Sequence, residues 1–116
     1  MDFPLLIDGT WRAGTGTSSI EVLNPATGDA LGSVASAALS DLDEALSVAA
    51  RGLQEWSAVV PWRRGEILKR AADILRRDLD EAARTLTLEQ GKPLAEARAE
   101  VTRSAEFLEW GGEQAR

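Results

Sequence analysis

Leu79-Asp80-Glu81-Ala82-Ala83-Arg84-Thr85-Leu86-Thr87-Leu88-Glu89-Gln90-Gly91-Lys92-Pro93-Leu94 contains the end of one helix and the start of the next. Leu79, Ala82 and Leu86 recur at helical spacing. Gly91 suits the left-handed residue that ends a helix, and Pro93 suits the first turn of another. Upstream, Leu68, Ala71 and Leu75 carry the same stripe back toward Pro61, with spacings of 3, 4, 4, 3 and 4 from Leu68 to Leu86. This predicts a single helix of about seven turns from Pro61 to Leu88 or Glu89. Downstream, Leu94, Ala97, Val101, Ala105 and Leu108 predict a further helix. Nearer the N-terminus, Ser40 reads as an N-cap followed by Asp41, Asp43 and Glu44, acids that favour the positive end of a helix dipole. Leu42, Ala45, Leu46, Ala49, Leu53 and Trp56 then form one stripe.

Before residue 38 the composition changes to short β-favouring runs separated by turn residues. Leu5-Leu6-Ile7 and Thr10-Trp11 flank Asp8-Gly9, a pair that supplies the positive φ angles of a type I′ hairpin turn. Ile20-Glu21-Val22-Leu23 stops at Asn24-Pro25, because proline pushes the preceding residue out of helical space. A turn through Ala26-Thr27-Gly28-Asp29 leads to Ala30-Leu31-Gly32-Ser33-Val34, a second hairpin. The expected fold class is therefore α/β, with two short β-hairpins (residues 1–38) followed by three amphipathic helices (residues 39–116). Two hairpins without further strands or a covering layer are marginal, so the two regions together read as an incomplete part of one larger domain.

The 116 residues carry 13 Lys plus Arg against 19 Asp plus Glu, a formal charge of −6, and include no His, Cys or Tyr. Without imidazole or thiol there is no His/Cys zinc site, no Ser-His-Asp or Cys-His pair and no disulfide. The acidic balance argues against nucleic acid as a partner. The first residues have no basic region before their short aliphatic run, and no apolar stretch approaches bilayer length, so no membrane is expected and the default address is cytoplasmic.

Several patterns invite a site and have plainer readings. Arg63, Arg70 and Arg77 recur every seven residues on the long helix. Glu66, Asp73 and Asp80 stand four residues before Arg70, Arg77 and Arg84, which predicts a self-neutralised solvent face. Gly14-Thr15-Gly16-Thr17 lacks the Gly-Lys-Ser/Thr ending of a P-loop and leads into a strand, so it reads as a flexible loop. Glu96 with Glu100, and Glu106 with Glu109, share helix faces without any further sign of acid/base work. Trp56, Trp62 and Trp110 read as core or interface packing. Glu89 is the unusual carboxylate: it lies at the negative end of a helix, where it needs either Lys92 or a bound hard cation to offset the carbonyl field.

Three stretches together carry a family resemblance: Leu6-Ile7-Asp8-Gly9-Thr10-Trp11, Val22-Leu23-Asn24-Pro25-Ala26-Thr27-Gly28, and Thr87-Leu88-Glu89-Gln90-Gly91-Lys92-Pro93-Leu94. In this order and spacing they resemble the N-terminal portion of NAD(P)-dependent aldehyde dehydrogenases, and the likeness covers essentially the whole chain. The wording from Leu88 to Ala97, with Glu106-Phe107-Leu108-Glu109-Trp110, looks most like the succinate-semialdehyde dehydrogenase branch. The resemblance implies the N-terminal part of a nucleotide-binding domain in an enzyme that oxidises an aldehyde through a cysteine nucleophile, NAD or NADP and an activating glutamate. Those catalytic and dinucleotide-binding elements lie downstream of the matched segment. No catalytic or cofactor-binding residue is therefore assigned here, and no cofactor is expected for this chain alone.

The resemblance also implies a monovalent cation site formed by the carbonyls of Val22 and Leu23 and the side chain of Glu89. Family members with that site often carry Asp at the Glu89 position. The implied partner is the remainder of the dehydrogenase or a family-type homo-oligomer. The rival expectation is a non-catalytic helical interaction module, or a truncated remnant, that binds a protein partner through uncovered apolar stripes. On the dehydrogenase reading, the pure 116-residue chain should self-associate on size-exclusion chromatography; a sharply melting monomer would instead indicate a self-sufficient domain.

Overall fold

The structure, a computed structural model, describes residues 2–115. Nine elements follow in chain order: β1 (Asp2–Phe3), β2 (Leu5–Ile7), β3 (Thr10–Arg12), β4 (Ser19–Leu23), β5 (Ala30–Ala35), α1 (Leu39–Ala58), α2 (Pro61–Arg77), α3 (Leu79–Gln90) and α4 (Leu94–Gln114). They form two compact units, Met1–Trp56 and Ser57–Arg116.

In the first unit, both hairpins form where turn chemistry placed them. Leu5, Leu6 and Ile7 pair antiparallel with Arg12, Trp11 and Thr10. Asp8 and Gly9 take φ of 52° and 71°, the two positive values that a type I′ turn requires. β4 pairs antiparallel with β5 from Ser19↔Ala35 to Leu23↔Ala30, with a bulge between Val22 and Leu23. The connecting turn is closed by its own residues. The Asn24 amide donates to the Asp29 carbonyl and the Gly28 amide to the Asn24 carbonyl, both at 2.8 Å, while the Asn24 side chain accepts from the Ala26 amide at 2.9 Å. Gly28 has φ 79°.

One strand was not expected. β1 adds to β5 in parallel, Asp2↔Ser33 and Phe3↔Val34, giving a three-stranded sheet in the order β1-β5-β4. A two-residue strand has no periodicity to read, so only its long-range partner reveals it.

The second unit has three helices where two were expected, making four among the described residues. The long helix breaks at Asp78, whose φ −99° and ψ 18° lie outside α geometry. The break is tight. The Asp78 amide still donates to the Ile74 carbonyl and its own carbonyl accepts from the Ala82 amide, both at 3.0 Å. Aspartate is a poor interior helix residue, and its charge opposes the carbonyl end of α2 while suiting the amide end of α3. Its carboxylate is drawn onto the preceding Arg77 guanidinium at 2.8 and 2.7 Å, which holds Asp78 below the usual carboxylate range. Apolar periodicity runs through the break unchanged and so does not mark it.

Both helices pack on α4. Ala83, Ala97 and Val101 form a buried cluster surrounded by Leu75, Leu79, Ala82, Leu86 and Leu94. On α4 the stripe residues Ala97 and Ala105 are fully buried as expected, whereas on α2 and α3 it is Ala72 and Ala83, each next to an expected stripe residue, that are fully buried. Where α2 crosses α4 the contact is backbone-close. A Cβ added to Gly112 would lie 3.0 Å from the Gly65 carbonyl oxygen and 3.3 Å from Lys69 Cγ. Two ion pairs flank the crossing, Lys69 with Glu113 and Arg76 with Glu109, the latter at 2.5 Å. Exposed pairs of this kind contribute about 0–1 kcal/mol each, so close packing is the larger effect.

At the helix ends, Gly91 takes the left-handed conformation at φ 74° and donates to the Thr87 carbonyl, as expected. Pro93, at φ −57° and ψ 140°, caps α4 from outside rather than forming its first turn.

Gly112→Val should lower stability by about 1–3 kcal/mol in urea denaturation, because the side chain must be forced against the Gly65 carbonyl. Gly111→Ala is the contrast: its nearest neighbour would be Leu68 Cδ1 at 3.8 Å, and replacing a helical glycine there should be neutral or stabilise by up to about 1 kcal/mol.

Candidate functional site

The three residues of the implied cation site fall in different units. Val22 and Leu23 lie at the end of β4, an edge strand on which alternate carbonyls face away from the neighbour. The pairing shifts register opposite Val22 and Leu23, where Leu31 of β5 is the extra residue. Glu89 lies in the last turn of α3, beside a shallow concavity lined by Asp78, Glu81, Ala82, Thr85 and Leu86. Its expected counter-ion is elsewhere, since Lys92 pairs with Glu100. Among the described residues no cation pairs with Glu89, and carbonyl and carboxylate oxygens are the donor type that a hard monovalent cation takes.

Among the described residues the buried carboxylate is Asp41, one of the acids expected in the first turn after Ser40. It is 2% exposed. Its Oδ2 accepts from the Thr15 amide at 2.8 Å, the Thr15 hydroxyl at 2.7 Å and the Ala38 amide at 2.9 Å. Arg12 Nη2 stands 3.8 Å from Oδ1 and also binds Glu44 at 2.5 Å. The bonds from Ala38 and Thr15 hold Asp41 below the ordinary carboxylate range, with a smaller contribution from Arg12. Ser40 is accordingly not the N-cap. The Asp41 and Leu42 amides donate to the Ala38 carbonyl, and Asp41 reaches back to the Ala38 amide in the manner of a capping box. The Ser40 hydroxyl instead meets that of Thr15 at 3.0 Å. An acid three positions after a loop residue was the available signal.

The same contacts decide the glycine loop. It is packed rather than flexible: a Cβ on Gly14 or Gly16 would lie 2.2 or 2.4 Å from the Ser36 carbonyl oxygen. The Gly16 amide donates to that oxygen at 3.2 Å, and the Thr15 amide is taken by Asp41. With those donors used and an anion beside them, the loop does not fit the phosphates of a dinucleotide.

The predicted charge pairs of the long helix are replaced by others. Glu66 pairs with Arg63 rather than Arg70, Asp73 with Arg76 rather than Arg77, and Asp80 with Arg98 of α4 rather than Arg84. The acids do meet arginines, two of them at i,i+3 within α2 and one across to α4. Trp62 and Trp110 are 59% and 63% exposed and so lie outside the core.

The aldehyde dehydrogenase family model matches residues 11–116. This chain belongs to the aldehyde dehydrogenase family. It is 40% identical over 110 residues to a glutarate-semialdehyde dehydrogenase of Pseudomonas aeruginosa, covering 95% of this chain and 23% of that protein. It is likewise 40% identical over 109 residues to the NADP(+) succinate-semialdehyde dehydrogenase of Escherichia coli, covering 94% of this chain and 23% of that protein. A crystal structure of an Escherichia coli NADP-dependent enzyme superposes with a TM-score of 0.91 at 40% identity, again over 95% of this chain and 23% of the other. The chain thus spans about a quarter of the length of these dehydrogenases. The matched quarter has no cysteine to serve as a nucleophile.

Loss of Asp41 should show as a pH effect. A carboxyl held low in the folded state stabilises fully above the unfolded value, and that contribution is lost as pH falls below about 4 and through the folded value. Thermal melts at pH 7 and pH 3 should show a smaller acid loss for Asp41→Asn than for the wild type, together with a lower Tm at pH 7. Asp78, also held low, accounts for part of the remaining acid sensitivity.

Proposed function

We propose that this chain acts as the N-terminal segment of an NAD(P)-dependent aldehyde dehydrogenase that oxidises a short semialdehyde, such as succinic semialdehyde, to a carboxylic acid. The observation that carries this reading is the 40% identity to two semialdehyde dehydrogenases along nearly the whole chain. The segment itself supplies scaffold: two pinned hairpins, a turn-closed Asn24–Asp29 loop and a packed helical layer. NAD or NADP would be held by the remainder of such an enzyme, which is also the proposed partner, in a cytoplasmic homo-oligomer.

One observation favours a second reading, a non-catalytic helical module that binds a protein. Leu42, Leu46 and Leu53 of α1 are 51%, 60% and 66% exposed, and such faces mark interfaces. Replacing the matched segment of the Escherichia coli NADP(+) succinate-semialdehyde dehydrogenase with this chain separates the two. The chimera should form NADPH from succinic semialdehyde, and the 116-residue chain alone should form none. Steady turnover by the chain alone, or a folded but inert chimera, would overturn the dehydrogenase reading.

Within the same reading, Val22, Leu23 and Glu89 hold a monovalent cation by oxygen donors. The chimera should then melt higher in potassium or sodium chloride than in choline chloride of equal ionic strength. Glu89→Gln should reduce that difference and Glu89→Asp retain it.

A further inference from the structure

We draw no further inference here: the strongest candidate, the exposed apolar face of α1 formed by Leu42, Leu46, Leu53 and Trp56, carries nothing beyond the reading above because nothing in the structure shows what covers it.

Discussion

The first unit depends on one carboxylate withdrawn from water. Burying an ion is costly unless its oxygens are satisfied, and Asp41 meets that condition with two backbone amides, a hydroxyl and a nearby guanidinium. Those partners come from three places: the β3 end at Arg12, the glycine loop at Thr15 and the segment entering α1 at Ala38. A single side chain thereby sets where the helix starts, holds the loop against Ser36 and fastens the first hairpin to the helix. The pair between Arg51 and Asp8, at 2.8 Å, ties the hairpin turn to α1 a few turns further along. The glycines at 14 and 16 are the steric counterpart, since any side chain there would meet the Ser36 carbonyl.

The second unit solves a different problem with small residues. Ala72, Ala83, Ala97, Ala105 and the glycines at 65 and 112 let α2 and α3 approach α4 closely, so that dispersion contacts accumulate along the seam despite a core with few large side chains. Larger aliphatic residues surround this seam, and charged residues bridge its edges. The chain belongs to the aldehyde dehydrogenase family, and in its first unit the Thr15 and Gly16 amides of the glycine loop are taken by the protein's own acceptors.

Much of this was legible from neighbouring residues. The Asp8-Gly9 turn, the Asn24–Asp29 turn, the stop at Gly91 and the helical stripes all arise from interactions reaching no more than four or five positions along the chain, and each was found where expected. The misses share a different origin. β1 exists only because β5 lies beside it, the apolar stripe runs unbroken past Asp78 and so hides the break there, and Asp80 finds Arg98 only because α3 packs on α4. The N-cap was misplaced by two residues because Ser40 and Ala38 compete for the role, and the distant Thr15 decides between them by engaging both Ser40 and Asp41.

The sequence by itself determined the two hairpins and their turn types, the helical stripes, the lack of a nucleophilic thiol and the family, because backbone propensity, turn geometry and residue chemistry are local properties. Only the tertiary structure decided which carboxylate is buried, which alanines and glycines form the inner seam and which charges bridge one helix to another. Those outcomes depend on groups brought together from distant positions, where burial changes the free energy of an ion or a methyl group by more than any local preference can.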